Sequence, residues 1–267
     1  MRFKELVWLS DLHADSLHSD FRADVEALGR ERPKGVLITG DISNAERLDE
    51  HLTVLSTLGC PIFFVLGNHD YWNGSFAGVT ALVRSACSTK TNLVYLDQSG
   101  FVQLGGGTVL IGGQGWGDGQ AGLGEKSPVT SRDSQLIQEF AGKPRETYFE
   151  MLRDIGRTSA LRFSNMAVSA LGDCQHLILA THVPPFTASA LREPEYLPYY
   201  VNVALGQEIL RVARQFPSKR ITVYCGHTHR RCVHQPLPNV MVHVADATNG
   251  MFQIAGRVRF EEVRFIS

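Results

Sequence analysis

The chain has 267 residues, of which 43% are hydrophobic, and its formal net charge at pH 7 is -1. This length and hydrophobicity suffice for one large core, and the near-neutral charge excludes a global basic field that would attract nucleic acid or an acidic membrane. The five cysteines form no CxxC pair, which argues against a disulfide framework or a structural zinc site. No apolar run is long enough for a secretory signal or a membrane span. We therefore expect a cytoplasmic protein whose single domain covers residues 1–267.

The first part of the chain alternates between two kinds of apolar pattern. Short apolar runs predict buried strands at Leu6–Leu9, Val36–Thr39 and Ile62–Leu66. Apolar residues at helical spacing follow each run, over Asp20–Arg32, from Leu48 to Leu58 and from Phe76 to Val83. Buried strands that alternate with amphipathic helices are typical of a largely parallel sheet covered by helices.

The second part of the chain adds a hairpin, a long helix and further strands. The predicted elements are a hairpin of Phe101–Leu104 and Thr108–Ile111, a polar helix over Arg145–Ala170, and buried strands at Leu177–Ala180 and Ile221–Tyr224. In the tail, the alternating segments Val240–Val244 and Val258–Phe265 predict an antiparallel pair.

Between the hairpin and the long helix, residues 112–143 have little apolar periodicity and many glycines. We interpret them as a Gly-rich loop insertion, because long irregular loops in compact domains are often lids or binding loops. Trp116 lies in this segment, and an indole there is suited to stack on a base or an aromatic leaving group. A disordered surface excursion is the alternative.

Polar side chains follow five of the predicted buried strands. The segments are Ser10-Asp11-Leu12-His13-Ala14-Asp15, Gly40-Asp41, Gly67-Asn68-His69-Asp70, Thr181-His182 and Gly226-His227-Thr228-His229. In open α/β sheets, ligands bind in the crevice outside the carboxyl ends of the strands. Each segment alone is explained by a cap, a turn or a buried histidine. Five such segments at equivalent positions indicate one shared site.

The chemistry of these side chains indicates metal ions. Imidazole, carboxylate and carboxamide groups suit Mn, Fe, Zn or a similar divalent ion, and no thiolate is among them. The number of candidate ligands exceeds what one tetrahedral ion needs, so we expect two ions that share a carboxylate. Such a pair generates a nucleophilic hydroxide and neutralises charge during in-line displacement at phosphorus.

The order of the motifs DLH, GD, GNHD, H and GHTH resembles the signature of the calcineurin-like metallophosphoesterases, of the bacterial type that includes class III cyclic nucleotide phosphodiesterases. The resemblance spans Asp11 to His229, which is most of the chain. It implies an α/β fold, a four-layer α-β-β-α sandwich of two mixed β-sheets flanked by helices, with a dinuclear metal centre at the strand ends.

The resemblance also implies a role for each matching residue. The first metal would be held by Asp11, His13 and His229, the second by Asn68, His182 and His227, and Asp41 would bridge the two. His69 would contact the substrate phosphate or protonate the leaving group, and Asp70 would orient His69.

The implied partner is a small-molecule phosphomono- or diester, with nucleotides among the candidates. The balanced charge argues against nucleic acid, since tracking a phosphate backbone needs clustered Lys and Arg. Two other functions stay open. One is a non-catalytic scaffold with the same fold. The other is an arginase-like dimanganese hydrolase, suggested by the DxHxD pattern of Asp11–Asp15, although the second acidic cluster of such enzymes is missing.

Overall fold

The computed structural model describes residues 5–260, which form two β-sheets packed face to face between layers of helices. The strands are Glu5–Leu9 (β1), Val36–Thr39 (β2), Ile62–Val65 (β3), Leu93–Tyr95 (β4), Val102–Gly105 (β5), Thr108–Gly112 (β6), His176–Ala180 (β7), Arg220–Cys225 (β8), Cys232–Leu237 (β9), Val240–Val244 (β10) and Gly256–Arg259 (β11).

Helices connect most of these strands. They are Phe21–Arg30 (α1), Leu48–Ser56 (α2), Phe76–Thr89 (α3), Leu96–Ser99 (α4), Asp133–Leu136 (α5), Arg145–Asp173 (α6), Thr187–Ala190 (α7), Leu197–Tyr200 (α8) and Val203–Gln215 (α9). Single 3₁₀ turns lie at His69–Tyr71 and Gly124–Lys126. Within residues 5–260, none of the helices combines the length and apolar composition needed to cross a membrane.

Both sheets are mixed, with parallel strands at the centre. The first has the order β11-β1-β2-β3-β4, in which β1 to β4 are parallel and β11 is antiparallel to β1. The second has the order β5-β6-β7-β8-β10-β9, in which β5 and β9 are the antiparallel edge strands. The predicted α/β sandwich of two mixed sheets flanked by helices is thereby confirmed.

The layers follow from the alternation of side chains along each strand. In β1, Trp8 points into the core between the sheets and Val7 packs against the outer helices α1 to α3. In β7, Ile178 faces the inter-sheet core and Leu179 packs beneath α6 and α9. Because both faces of the central strands are buried, these strands have the continuous apolar sequences that predicted them.

The predicted pairing in the tail is wrong. Strand β10 pairs with β8 and β9, whereas β11 belongs to the other sheet and pairs with β1, where Val258 lies opposite Leu6. Residues 261–265 of the predicted tail strand lie outside the described residues. Alternation indicates that one face is buried, but it does not identify the edge on which a strand docks. The strands β4 and β9 and the helix α9 were not predicted.

A buried histidine links two strands of the second sheet. The guanidinium of Arg220 donates to Nδ1 of His176 at 3.1 Å, so the imidazole proton is on Nε2, which donates to Thr222 Oγ1 at 2.8 Å. His176 is only 5% exposed. Burial and the charge of Arg220 lower its pKa to about 3.

This histidine makes the stability of the fold sensitive to acid. In the unfolded chain His176 has a pKa near 6.5, so below that pH the unfolded state takes up a proton that the folded state refuses, until the pH approaches 3. Between pH 7 and pH 5 the unfolding free energy of the wild type should fall by about 2 kcal/mol more than that of His176→Gln, which lacks the titrating group. Urea denaturation at both pH values measures this, and a pH-independent difference would contradict it.

Candidate metal centre

The predicted site residues stand just beyond the carboxyl ends of five parallel strands. Asp11, Asp41, His182 and His227 each lie two positions after the last residue of β1, β2, β7 and β8, and Asn68 lies three positions after β3. Since parallel strands end at the same edge of a sheet, and the two sheets are stacked, all five side chains reach one crevice.

Left-handed backbone conformations aim several of these side chains. Positive φ angles occur at Asp11 (51°), His13 (43°), Asp41 (52°), His227 (67°) and His229 (54°). In the described part of the chain only three other non-glycine residues share this feature. A non-glycine residue in this region costs on the order of 1–3 kcal/mol, and such residues cluster at functional sites. The strain at these five residues indicates that the placement of their side chains serves a function and not the stability of the local backbone.

Two glycines let neighbouring loops approach the carboxylates. A Cβ atom on Gly67 would lie 2.2 Å from Oδ1 of Asp41, and one on Gly226 would lie 2.1 Å from Oδ2 of Asp11. No side chain fits at either position, which explains why a glycine precedes both Asn68 and His227.

The first group of candidate ligands consists of Asp11, His13 and His229, whose ligand atoms lie within 4.8 Å of one another. His13 Nε2 and His229 Nε2 are 3.1 Å apart, and His229 Nε2 is 3.3 Å from Asp11 Oδ1. The Asp11 carboxylate is held in place by the backbone N–H of His227 (2.8 Å) and the hydroxyl of Ser10 (2.5 Å).

The second group consists of Asp41, His182 and His227. A carbonyl oxygen only accepts, so the 2.8 Å contact to Thr39 O puts a proton on Nδ1 of His182. By the same reasoning, the 3.2 Å contact to Tyr199 O puts a proton on Nε2 of His227. The two remaining nitrogens, His182 Nε2 and His227 Nδ1, face each other at 3.1 Å. The backbone carbonyls thus select which nitrogen each ring offers to a cation.

Asp41, a member of the second group, also lies near the first. Its Oδ2 is 3.2 Å from His182 Nε2 and 3.8 Å from His13 Nε2, while its Oδ1 accepts the backbone N–H of His69 at 2.9 Å. Burial alone would raise the pKa of Asp41, but the imidazoles of His182 and His13 hold it well below its usual range. The reciprocal effect is seen at His182, where burial is outweighed by the charges of Asp41 and Asp11, which raise the pKa to about 10.

Asn68 offers a buried acceptor without a partner. Its Nδ2 donates to Asp133 Oδ1 at 2.9 Å, whereas its Oδ1 is buried and, within the described chain, accepts no hydrogen bond. An unpaired buried polar atom destabilises the folded state unless a water molecule or an ion pairs with it. A carboxamide oxygen beside imidazole and carboxylate ligands suits a divalent cation, so the residues present fit a pair of such ions.

The hydrogen bonds of Asp70 run to the backbone. Asp70 is fully buried and accepts from the backbone N–H groups of Ile42 (2.8 Å), Ser43 (2.9 Å) and Gly67 (2.8 Å). Within the described residues these hydrogen bonds do not include the His69 imidazole, so the orienting role of Asp70 stays a prediction. Asp70 ties the loop after β2 to the loop after β3, because its oxygens are taken by their backbones.

The carboxylate that contacts His69 belongs to Asp15, whose Oδ2 lies 3.2 Å from Nε2. A carboxylate only accepts, so this nitrogen carries a proton. Burial lowers the pKa of His69, but the hydrogen bond to Asp15 and the charge of Asp41 outweigh burial and raise it.

These residues line a cleft of about 380 Å³. Its walls also carry Trp72, Arg132 and Tyr200. The Trp72 ring lies 4.0 Å from the His69 ring and has the Arg132 guanidinium 4.7 Å from its centroid. The Tyr200 ring lies near the His227 ring (4.4 Å between centroids) and has the Arg192 guanidinium 4.8 Å from its centroid. Each of the two aromatic rings therefore contacts one histidine and one arginine.

The stacking role predicted for Trp116 is not supported. Trp116 is 2% exposed and packs among Tyr71, Phe76 and Phe140, with centroid separations of 5.4–5.8 Å. Residues 112–143 are thus not a disordered excursion either, because they supply core aromatics and the short helix α5.

Sequence reasoning missed Asp133 and Arg132, which come from the irregular segment, the cleft residues Trp72 and Tyr200, and the contact of Asp15 with His69. No periodic pattern marks Asp133 or Arg132, and only their place in a segment interpreted as a binding loop pointed to them. The DxHxD pattern did single out Asp15, but for a different chemistry.

Most of the chain matches the profile of one protein family. The profile described as calcineurin-like phosphoesterase matches residues 5–231, which include every motif named above. A comparison with curated proteins finds no match.

Solved structures with a similar fold share little sequence with this chain. A dimetal phosphatase of Danio rerio is 12% identical with a TM-score of 0.56, over 92% of this chain and 88% of that one. A Thermus thermophilus protein is 12% identical with a TM-score of 0.51, over 91% and 89%. A candidate 5′-nucleotidase of Staphylococcus aureus is 12% identical with a TM-score of 0.50, over 96% of this chain and 54% of that one. At such identity these likenesses show the fold alone. The family profile, however, covers most of the chain, and the chain belongs to the calcineurin-like phosphoesterase family.

Proposed function

We propose that this protein is a metal-dependent phosphoesterase that hydrolyses a small-molecule phosphomono- or diester. The observation that carries the proposal is the position of Asp41, which belongs to the group of His182 and His227 and whose Oδ2 also lies 3.8 Å from His13 Nε2 of the other group. Asp11, His13 and His229 would hold one divalent cation, and His182, His227 and Asn68 the other, with Asp41 shared. When bound, such a pair of Mn, Fe or Zn ions activates water as a nucleophile and offsets charge on the phosphoryl group.

His69 is the proposed source of the proton for the leaving group. It lines the cleft beside Asp41, and its pKa is raised, which favours the imidazolium form. Asp15 holds the proton on Nε2, so the imidazolium retains a second proton on Nδ1 for the departing oxygen. Asp15 is a positioning residue in this scheme, because it acts only through His69.

The side chains on the walls of the cleft affect which substrates can bind. Arg132 is exposed, and within residues 5–260 no carboxylate lies within ion-pair distance of it, so it is free to approach an anionic ester. An arginine lies over the ring of Trp72 and another over the ring of Tyr200, so a nucleobase that stacks on either of those faces would displace an arginine. These contacts favour a small, compact phosphoester. For a nucleotide, the support is the fold shared with the candidate 5′-nucleotidase.

The two alternative functions have less support. A non-catalytic scaffold would not need to keep both ligand groups, the bridging carboxylate and the unpaired Asn68 oxygen. Membership of the calcineurin-like family argues against an arginase-like hydrolase, as does the engagement of Asp15 by His69.

The first test removes the shared carboxylate. We expect Asp41→Asn to lose both metal ions and nearly all turnover while remaining folded, because one neutral amide replaces a ligand common to both sites. Metal content per chain after dialysis, with circular dichroism as the check on folding, measures this. His18→Ala is the matched control, since this exposed histidine lines the cleft outside both ligand groups, and it should keep both ions. A folded Asp41→Asn protein with two bound ions would contradict the assignment.

The second test varies the leaving group. An alkoxide needs a proton to depart, whereas p-nitrophenolate leaves unaided, and general-acid help is worth roughly 10²–10⁴-fold where it is needed. We expect His69→Asn to keep both metals and to lose much more kcat on an alkyl phosphoester than on the p-nitrophenyl ester of the same type. An equal loss on both esters would instead make His69 an electrostatic clamp on the phosphoryl group.

Two aspartates provide a matched pair for this test. Asp15→Asn should reproduce the leaving-group dependence of His69→Asn more weakly, because the imidazole loses its carboxylate. Asp70→Asn should lower the unfolding free energy without a leaving-group dependence, because Asp70 holds backbone N–H groups and not the imidazole. The reverse pattern would restore Asp70 as the residue that orients His69.

A further inference from the structure

The irregular segment between β6 and α6 sends one carboxylate to the edge of the proposed metal centre. Asp133, the first residue of α5, is 7% exposed, and its carboxylate lies against Asn68. We propose that Asp133 is a positioning residue that fixes the carboxamide of Asn68 as a metal ligand. The inference rests on the proposed function, because it presumes that Asn68 binds one of two ions.

Every contact of the Asp133 carboxylate comes from a donor. Oδ1 accepts from Asn68 Nδ2 at 2.9 Å and from Trp72 Nε1 at 2.7 Å. Oδ2 accepts from the hydroxyl of Ser131 at 2.8 Å. Both oxygens act as acceptors, as expected of an ionised carboxylate, and hydrogen bonds to a charged group are stronger and shorter than neutral ones.

This arrangement leaves the Asn68 amide a single orientation. A flipped amide would direct its oxygen at the Asp133 carboxylate and its NH₂ group at the ligands of the second ion, and both contacts would be repulsive or unproductive. In the observed orientation the oxygen is buried and, in the part of the chain that the structure covers, without a partner. Asp133 therefore determines that an oxygen lone pair, and not an N–H group, is offered to the cation.

The same carboxylate also fixes the neighbouring wall of the cleft. By binding the indole N–H of Trp72, Asp133 holds the ring against which His69 packs at 4.0 Å. The ligand of one ion and the support of the proposed proton donor thus share one acceptor, supplied from a segment distant in sequence.

A purely structural role for Asp133 can be separated from a positioning role by a control in the same segment. Asp118 is fully buried and also accepts three hydrogen bonds, from the backbone and side-chain nitrogens of Gln120 and the backbone of Ala204. None of these donors is a candidate metal ligand. Removal of the Asp118 carboxylate should therefore lower the unfolding free energy without changing the metal affinity.

The experiment titrates metal-free full-length protein with Mn²⁺ and follows binding by electron paramagnetic resonance and calorimetry. We expect wild type to bind two Mn²⁺ per chain with a spin-coupled signal. Asp133→Ala should bind the Mn²⁺ ion at the site of Asn68, His182 and His227 about 10–100-fold more weakly. This is the range typical when a group that orients a metal ligand is removed. Asp118→Ala should bind both ions as wild type does, and Asp133→Asn, which keeps an acceptor for Asn68, should recover most of the affinity.

A folded Asp133→Ala protein that binds both ions with wild-type affinity would overturn the inference. Wild type that binds fewer than two ions would instead overturn the proposed function. If Asp133→Ala does not fold, Asp133→Ser serves in its place, because its hydroxyl is too short to reach the Asn68 amide. Wild-type affinity for the second ion in that variant would equally overturn the inference.

Discussion

Oδ2 of Asp41 lies 3.2 Å from one imidazole group and 3.8 Å from another, and much of the surrounding structure serves to keep it there. Its partner oxygen is taken by the backbone of His69. Asp70 ties together the loops that carry Asp41 and Asn68, and Gly67 lets them approach more closely than any side chain would allow. A buried carboxylate is costly unless hydrogen bonds or positive groups compensate it, so the contacts that stabilise Asp41 in the fold also hold it where a shared metal ligand is proposed.

Most of the candidate site was predictable because its residues are marked by local signals. A continuous apolar run predicts a buried strand, and polar residues immediately after it are assigned to the carboxyl edge without knowledge of any contact. Asp11, Asp41 and Asn68 were found in this way, as were the late histidines. The sandwich followed from the alternation of strands and helices together with the resemblance to the family.

Contacts between neighbours in sequence were harder to predict than convergence at the sheet edge. His69 and Asp70 are adjacent in a single 3₁₀ turn, but the hydrogen bonds of Asp70 go to backbone N–H groups, and the carboxylate that contacts the imidazole is that of Asp15. Trp116 and Asp133 lie in a segment without periodicity, where no pattern reports which side chains are buried. The tail strands failed for a related reason, since alternation specifies a buried face but not a partner strand.

The placement of Asp133 changes how the 112–143 segment is regarded in protein engineering. Its aromatic residues, among them Trp116 and Phe140, anchor it to the core, and its acidic side chain completes the surroundings of Asn68. Residues 112–143 therefore cannot be replaced by an arbitrary loop of the same length. If Asn68 holds a metal ion as proposed, a chimera that grafts a loop of equal length from a relative, without an acceptor at this position, would assemble the sandwich and leave that ligand without its support.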